Sequence, residues 1–169
     1  MVKPEIIKLK KYSDLRGFFK NIFDENISKK FKLNKSIDQY QISISHNKKN
    51  VLRGLHYQKP MQNKFIYLLK GKIQDISVDI NKNSKNYGKV YEFILQGNKD
   101  LLFIPRDFAH GFDALEESTI IYLLDKNYNS NKEVTINWND KNLDIKWKCN
   151  KPMISYKDIR GIPFESKKK

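Results

Sequence analysis

Between Phe18 and Trp147 the chain is a succession of short apolar or alternating runs cut by turn residues, with no long stretch of helical period. A chain built this way points to an all-β structure. Residues 64–69 are apolar, Lys70-Gly71-Lys72 reads as a turn, and 73–80 alternates. Gln74, Ile76, Val78 and Ile80 share one face of that run, and Ile73, Asp75, Ser77 and Asp79 share the other. The three pieces together read as a hairpin. Runs at 90–95, 101–104, 119–124 and 134–138 continue the series, with 96–98 and 125–130 as connecting turns. One short helix is expected over 25–32, capped by Asp24, with Ile27 and Phe31 one turn apart. Regularly spaced strands with one minor helix point to a sandwich or barrel, and 169 residues suits a single domain in the form of a jelly roll that can enclose a ligand.

The formal charge of +14 raises the question of nucleic acid, because a basic face attracts phosphate. Only four of the 33 basic residues are Arg, at 16, 53, 106 and 160, whereas bidentate phosphate and base-edge contacts favour guanidinium. Lysine is spread along the chain beside abundant Asn and Ile, the pattern of an A/T-rich gene with Lys as a solvating residue, and 167–169 reads as a solvated tail. No apolar run reaches a membrane span and the N-terminus lacks a signal-peptide core, so a soluble, cytoplasmic protein free of nucleic acid and membrane is expected. Cys149 is alone, which removes a disulfide framework.

Two segments concentrate chemistry. Residues 51–58 (VLRGLHYQ) place Arg53 and His56 three apart in an apolar setting, and 104–112 (IPRDFAHGF) place His110 among small and aromatic residues. One histidine on a strand is more often structural than catalytic; two in such settings shift the balance toward a base working near neutral pH. The three histidines, 46, 56 and 110, lack the spacing of a metal site, and no metal is expected. A strand over 36–45 sets Gln39, Gln41, Ser43 and Ser45 on one side and Tyr40, Ile42 and Ile44 on the other, so one face must meet water or a polar cavity.

The chain resembles the dTDP-4-dehydrorhamnose 3,5-epimerases, cupin-fold enzymes acting on nucleotide-linked 4-keto-6-deoxysugars. The resemblance runs from about Asp14 to Pro163 and rests on RGFF at 16–19, NVLRGLHYQ at 50–58, KIQDISVD at 72–79, IP at 104–105 with FAHGF at 108–112, WND at 138–140 and SYKD at 155–158. It implies a cupin jelly-roll barrel, a double-stranded β-helix with a few short peripheral helices. The implied reaction is cofactor-independent inversion of C3 and C5 through an enolate. By resemblance His56 is the base, Asp158 orients it, Lys64 stabilises the enolate oxygen, and Tyr122 returns a proton to the opposite face. Arg53 and His110 match sugar- and phosphate-contacting positions, and Asp75 lines the same cavity. Arg16, Gln41, Glu133 and Lys157 match nucleotide- or substrate-binding positions, and Tyr128 matches an aromatic that stacks on the base. The resemblance also implies a homodimer whose subunits exchange N-terminal strands, which would put Arg16 and Asn21 in a partner's pocket.

Asn21 stands where the family has a glutamate that helps read the nucleotide, and Ser43 stands in place of the usual Asn of a Gln-x-Asn pattern. The proton-transfer set is therefore complete while the nucleotide-reading set is altered. A GDP-linked 4-keto-6-deoxy-heptose, inverted at C3 alone or at C3 and C5 for a surface polysaccharide, is the alternative substrate. A polyanion-binding cupin and a metal cupin oxygenase are the readings from other classes.

Overall fold

The structure, a computed structural model, describes residues 2–33 and 39–165. Its frame is two antiparallel sheets packed face to face. One has the strand order β1-β9-β6-β11-β4, built from Glu5–Ile7 (β1), Leu101–Ile104 (β9), Lys64–Lys70 (β6), Ser118–Leu124 (β11) and Gln41–Asn47 (β4). The other runs β12-β5-β10-β7-β8, from Glu133–Thr135, Val51–Gln58, Phe108–Ala114, Lys72–Asp79 and Val90–Gln96, with Met153–Ile154 (β13) pairing in parallel with β5. Lys11–Asp14 (β2) and Gly17–Lys20 (β3) form a separate hairpin.

Alternation along the strands puts one apolar face of each sheet inward. Ile66, Leu68, Leu102, Ile104 and Ile120 from the first sheet meet Ile73, Leu95, Phe108 and Phe112 from the second, all buried. Part of each outer face is also covered. Ile27 of the short helix Glu25–Lys30 (α1) and Phe31, its C-cap, pack with Phe65, Tyr67 and Phe103, the Phe31 and Phe103 rings stacking at 3.9 Å. Asp24 caps that helix by accepting from the Ile27 N–H at 3.0 Å, as the sequence predicts, but the helix ends at Lys30, two residues short of expectation, where Lys32 takes a positive φ. Leu143 and Phe164, from the chain that returns after β12, cover Leu55, Ile76 and Val78 on the other side.

Two sequence expectations change. Residues 64–69 and 73–80 are not a hairpin: β6 pairs with β9 and β11, and β7 with β10 and β8, so the tight 70–72 turn crosses between sheets. Gly71 makes the crossing with φ +89°, where a Cβ would stand 2.2 Å from the Glu117 carbonyl oxygen. Asp75 and Ser77, which share one face of β7, are fully buried. The strand expected over 134–138 is Glu133–Thr135, continued only by an isolated bridge between Ile136 and Ile162.

The strand expected over 36–45 is described from Gln41, residues 36–38 lying outside the described residues. Its polar side, Gln41, Ser43 and Ser45, is half-buried, while Ile42 and Ile44 point outward, 59% and 68% exposed. β4 is an edge strand with its hydrophobic side in the open. The β2–β3 hairpin likewise leaves Tyr12, Leu15, Phe18 and Phe19 exposed.

Candidate active site

Between the two sheets lies a cavity of about 160 Å³, lined by Arg53, His56, Gln62, Lys64, His110, Gly111, Phe112, Tyr122, Leu124, Tyr128 and Glu133. Arg53 and His56 are an odd number of residues apart, so a regular strand would send them to opposite faces. The register prevents this. His110 pairs with His56 and Phe112 with Arg53, so β5 carries one extra residue over that interval, a bulge that turns both side chains into the cavity. Gly54 sits in the bulge with φ +120°, and a Cβ there would stand 2.6 Å from the Gly111 Cα. The glycines of the two motifs thus let β5 and β10 approach closely enough to set the histidines side by side.

His56 Nε2 lies 2.6 Å from Asp158 Oδ1. A carboxylate can only accept, so Nε2–H donates and Nδ1 keeps a free lone pair, 4.0 Å from Glu133 Oε1. Asp158 is buried in the short helix Tyr156–Ile159 (α2), capped by Ser155, and its other oxygen accepts from the Gly54 N–H at 3.3 Å. Burial pulls its pKa upward, but the bond and charge of His56, with Gly54 and Ser155, outweigh burial and hold the carboxyl below its ordinary range. His56 and Asp158, 102 residues apart in the chain, are brought together because β13 lays the C-terminal segment along β5.

His110 donates through Nε2 to Asp75 Oδ2 at 2.8 Å. Burial raises the Asp75 pKa, opposed by His110 and by the charge of Lys64. Lys64 opens β6 at 7% exposure and donates to the His56 carbonyl at 3.1 Å. Burial lowers its pKa to about 8, with Glu133 and Asp75 partly offsetting. Tyr122 belongs to β11 in the opposite sheet from His56; burial raises its phenol, Asp75 adds to this and Arg53 opposes it. The phenol therefore keeps its proton at neutral pH.

The residues expected on the nucleotide side form a second group. Glu133 accepts from Lys157 Nζ and from the Tyr128 hydroxyl at 3.2 Å, and Gln41 Oε1 accepts from the Tyr128 N–H at 2.5 Å while its Nε2 donates to Ser43 Oγ at 3.0 Å. Arg16 and Asn21 stand apart from the cavity: both are exposed, and Arg16 pairs with Asp14 within its own hairpin. Gln62 and Asn47 were not indicated by the sequence. Gln62 lines the cavity, and buried Asn47 holds Arg53, accepting from its Nε at 2.8 Å. Neither had a motif to mark it, since each acts through a fold contact. Among the described residues no group of three or more His, Cys, Asp or Glu is arranged to hold a metal, and no helix is long and apolar enough to cross a membrane.

Comparison with known proteins bears on nearly the whole chain. The dTDP-4-dehydrorhamnose 3,5-epimerase family model matches residues 4–166. The enzyme of that name from Shigella flexneri is 37% identical over 163 residues, covering 94% of this chain and 90% of that protein. Among solved structures, the chain is similar to the dTDP-6-deoxy-D-glucose-3,5-epimerase of Legionella pneumophila Philadelphia 1 in complex with dTDP-4-keto-L-rhamnose. The TM-score is 0.87 at 34% identity, covering 95% of this chain and 87% of that one. The dTDP-4-dehydrorhamnose 3,5-epimerase of Bacillus anthracis str. Ames, with TDP and PPi bound, gives 0.85 at 32% identity, covering 95% and 94%.

Proposed function

The chain belongs to the dTDP-4-dehydrorhamnose 3,5-epimerase family, and from that membership we propose how its cavity performs the reaction of a nucleotide-sugar 3,5-epimerase. The observation that carries the proposal is the placement of His56 and Tyr122 on opposite sheets, facing one cavity. A flat 4-keto sugar lying between the sheets meets a base on one side and a phenol on the other. His56 Nδ1 removes the proton beside the ketone, and Asp158 stabilises the imidazolium that results. Negative charge then develops on the keto oxygen, where the buried Lys64 ammonium interacts strongly because little water competes. Tyr122 delivers a proton to the opposite face, inverting the carbon. Repeating the sequence at the second carbon uses the same groups, since C3 and C5 flank one ketone.

Arg53 and His110 face the same cavity and suit the sugar and its diphosphate, with Asp75 and Asn47 holding them in place. Tyr128, Glu133, Lys157, Gln41 and Ser43 lie on the nucleoside side, and the substrate we propose is a dTDP-linked 4-keto-6-deoxysugar, made in the cytoplasm for a surface polysaccharide. The acting species is a homodimer. Its support is the open apolar side of β4 together with the exposed Tyr12, Leu15, Phe18 and Phe19 of the β2–β3 hairpin, which is tied to its own chain through Lys20, bonded to the Asn98 and Lys99 carbonyls. Laid over a second copy, the hairpin would bury Phe18 and Phe19 and carry Arg16 and Asn21 to that copy's cavity.

The test offers the purified protein dTDP- and GDP-linked 4-keto-6-deoxysugars, heptose included, under identical conditions. Preference for the dTDP sugar supports the assignment; preference for the GDP-heptose would transfer it to the alternative substrate. Tight, salt-sensitive DNA binding without turnover would return the chain to a polyanion binder.

A further inference from the structure

The lip of the cavity, residues 126–129, is fastened by glutamine side chains. Gln62 Nε2 donates to the Lys126 carbonyl at 3.1 Å, and Gln58 Nε2 donates to the Asn127 carbonyl at 3.0 Å. The Tyr128 N–H donates to Gln41 Oε1, and the Asn129 N–H to Gln58 Oε1 at 2.7 Å. Gln58 therefore uses both ends of its amide on the two residues that flank Tyr128, supplying the donor and acceptor that a neighbouring strand would otherwise supply. It is buried, 4% exposed, and stands two residues after His56 on β5. Its register partner across β5 and β12 is Glu133, the residue that accepts from the Tyr128 hydroxyl. One cross-strand pair thus holds Tyr128 through the backbone of its two neighbours and through its own phenol.

We propose that Gln58 is a positioning residue for nucleotide recognition, fixing the 126–129 lip to the strand that carries the base so that the Tyr128 ring is held ready for the nucleoside. The inference rests on the reading of Tyr128 as a base-stacking platform. An apolar side chain of the same length would leave the Asn127 carbonyl and the Asn129 N–H without their partner and let the lip move. Gln58→Glu keeps the acceptor for Asn129 but turns an oxygen toward the Asn127 carbonyl, so it should act in the same direction.

The test compares the nucleotide-linked sugar with the same sugar carried on diphosphate alone. Gln58→Met and Gln58→Glu are expected to raise KM for the nucleotide-linked sugar about tenfold with kcat changed by less than about twofold. The ratio of kcat/KM between the two substrates should fall to match. An equal loss on both substrates, carried in kcat, would overturn the proposal. Amide hydrogen exchange on the unmodified protein gives a readout that needs no variant: the Asn129 amide, which donates to Gln58, is expected to be protected, and its exchange at free-peptide rates would overturn the clamp. Tyr128→Ala separates the underlying reading. If it leaves the substrate ratio unmoved while the Gln58 variants move it, the stacking role fails and the positioning of the lip by Gln58 stands; if it moves the ratio and they do not, the Gln58 proposal fails alone.

Discussion

His56 Nε2 and Asp158 Oδ1 stand 2.6 Å apart although 102 residues separate them in the chain. The bond fixes the imidazole ring and its tautomer, so Asp158→Asn is expected to lower kcat by about 10²–10⁴ with KM little changed, as removing or misorienting a general base does. Steady-state kinetics check this. The same pair has a pH signature. The Asp158 pKa is depressed on folding, so its contribution to stability is full above the ordinary carboxylate value of about 4 and is lost as pH falls through the folded value. Urea denaturation should show the wild type more stable than Asp158→Asn at pH 6, with the gap closing toward pH 3. A gap that stayed constant would contradict the pairing.

Burial lowers the Lys64 pKa to about 8, below the ordinary lysine value of about 10.4. Its ammonium is needed at the enolate oxygen, so kcat/KM should decline as pH rises through about 8. Lys64→Met is expected to cost about 10²–10³ in kcat and to remove that decline from the residual activity. Stability runs the other way. Between pH 8 and 10.5 the unfolded chain binds the proton that the folded one has released, so wild-type stability gains a rising contribution there that the variant lacks. Chemical denaturation across that range reads the difference.

Tyr122 faces the cavity from the sheet opposite His56. Tyr122→Phe should slow inversion by about 10²–10⁴ while deuterium exchange on the His56 side continues, because His56 can still remove and return a proton on its own face. Inversion at the wild-type rate would remove Tyr122 from the role of acid.

Ile44 is 68% exposed on an edge strand. Ile44→Lys places a charge in the proposed subunit contact and is expected to give a folded monomer with reduced activity. Sedimentation at assay concentration checks it. A fully active wild-type monomer would exclude a shared site.

The architecture was legible because turn residues and alternation are local signals, and the histidines were legible because Arg53, His56 and His110 stand out in apolar runs. The pairing of the strands was not. A glycine turn between two apolar runs reads as a hairpin, yet in a jelly roll the chain crosses between sheets there, and only the partners of β6 and β7 reveal it. The inward direction of Arg53 was equally hidden, since it depends on a bulge set by the β10 register. Asn47, Gln58 and Gln62 act by holding other residues in place, which no spacing records. The polar side of β4 reversed the usual reading of an amphipathic strand, because the cavity, and not water, lies on that side.

The central claim is that one base, one ammonium and one phenol invert two carbons beside a single ketone. Proton NMR in D₂O with a dTDP-linked 4-keto-6-deoxysugar tests it most directly. The account predicts deuterium at both C3 and C5 with the wild type, and at neither with His56→Ala. Exchange at C3 alone, or exchange that survives the loss of His56, would contradict it.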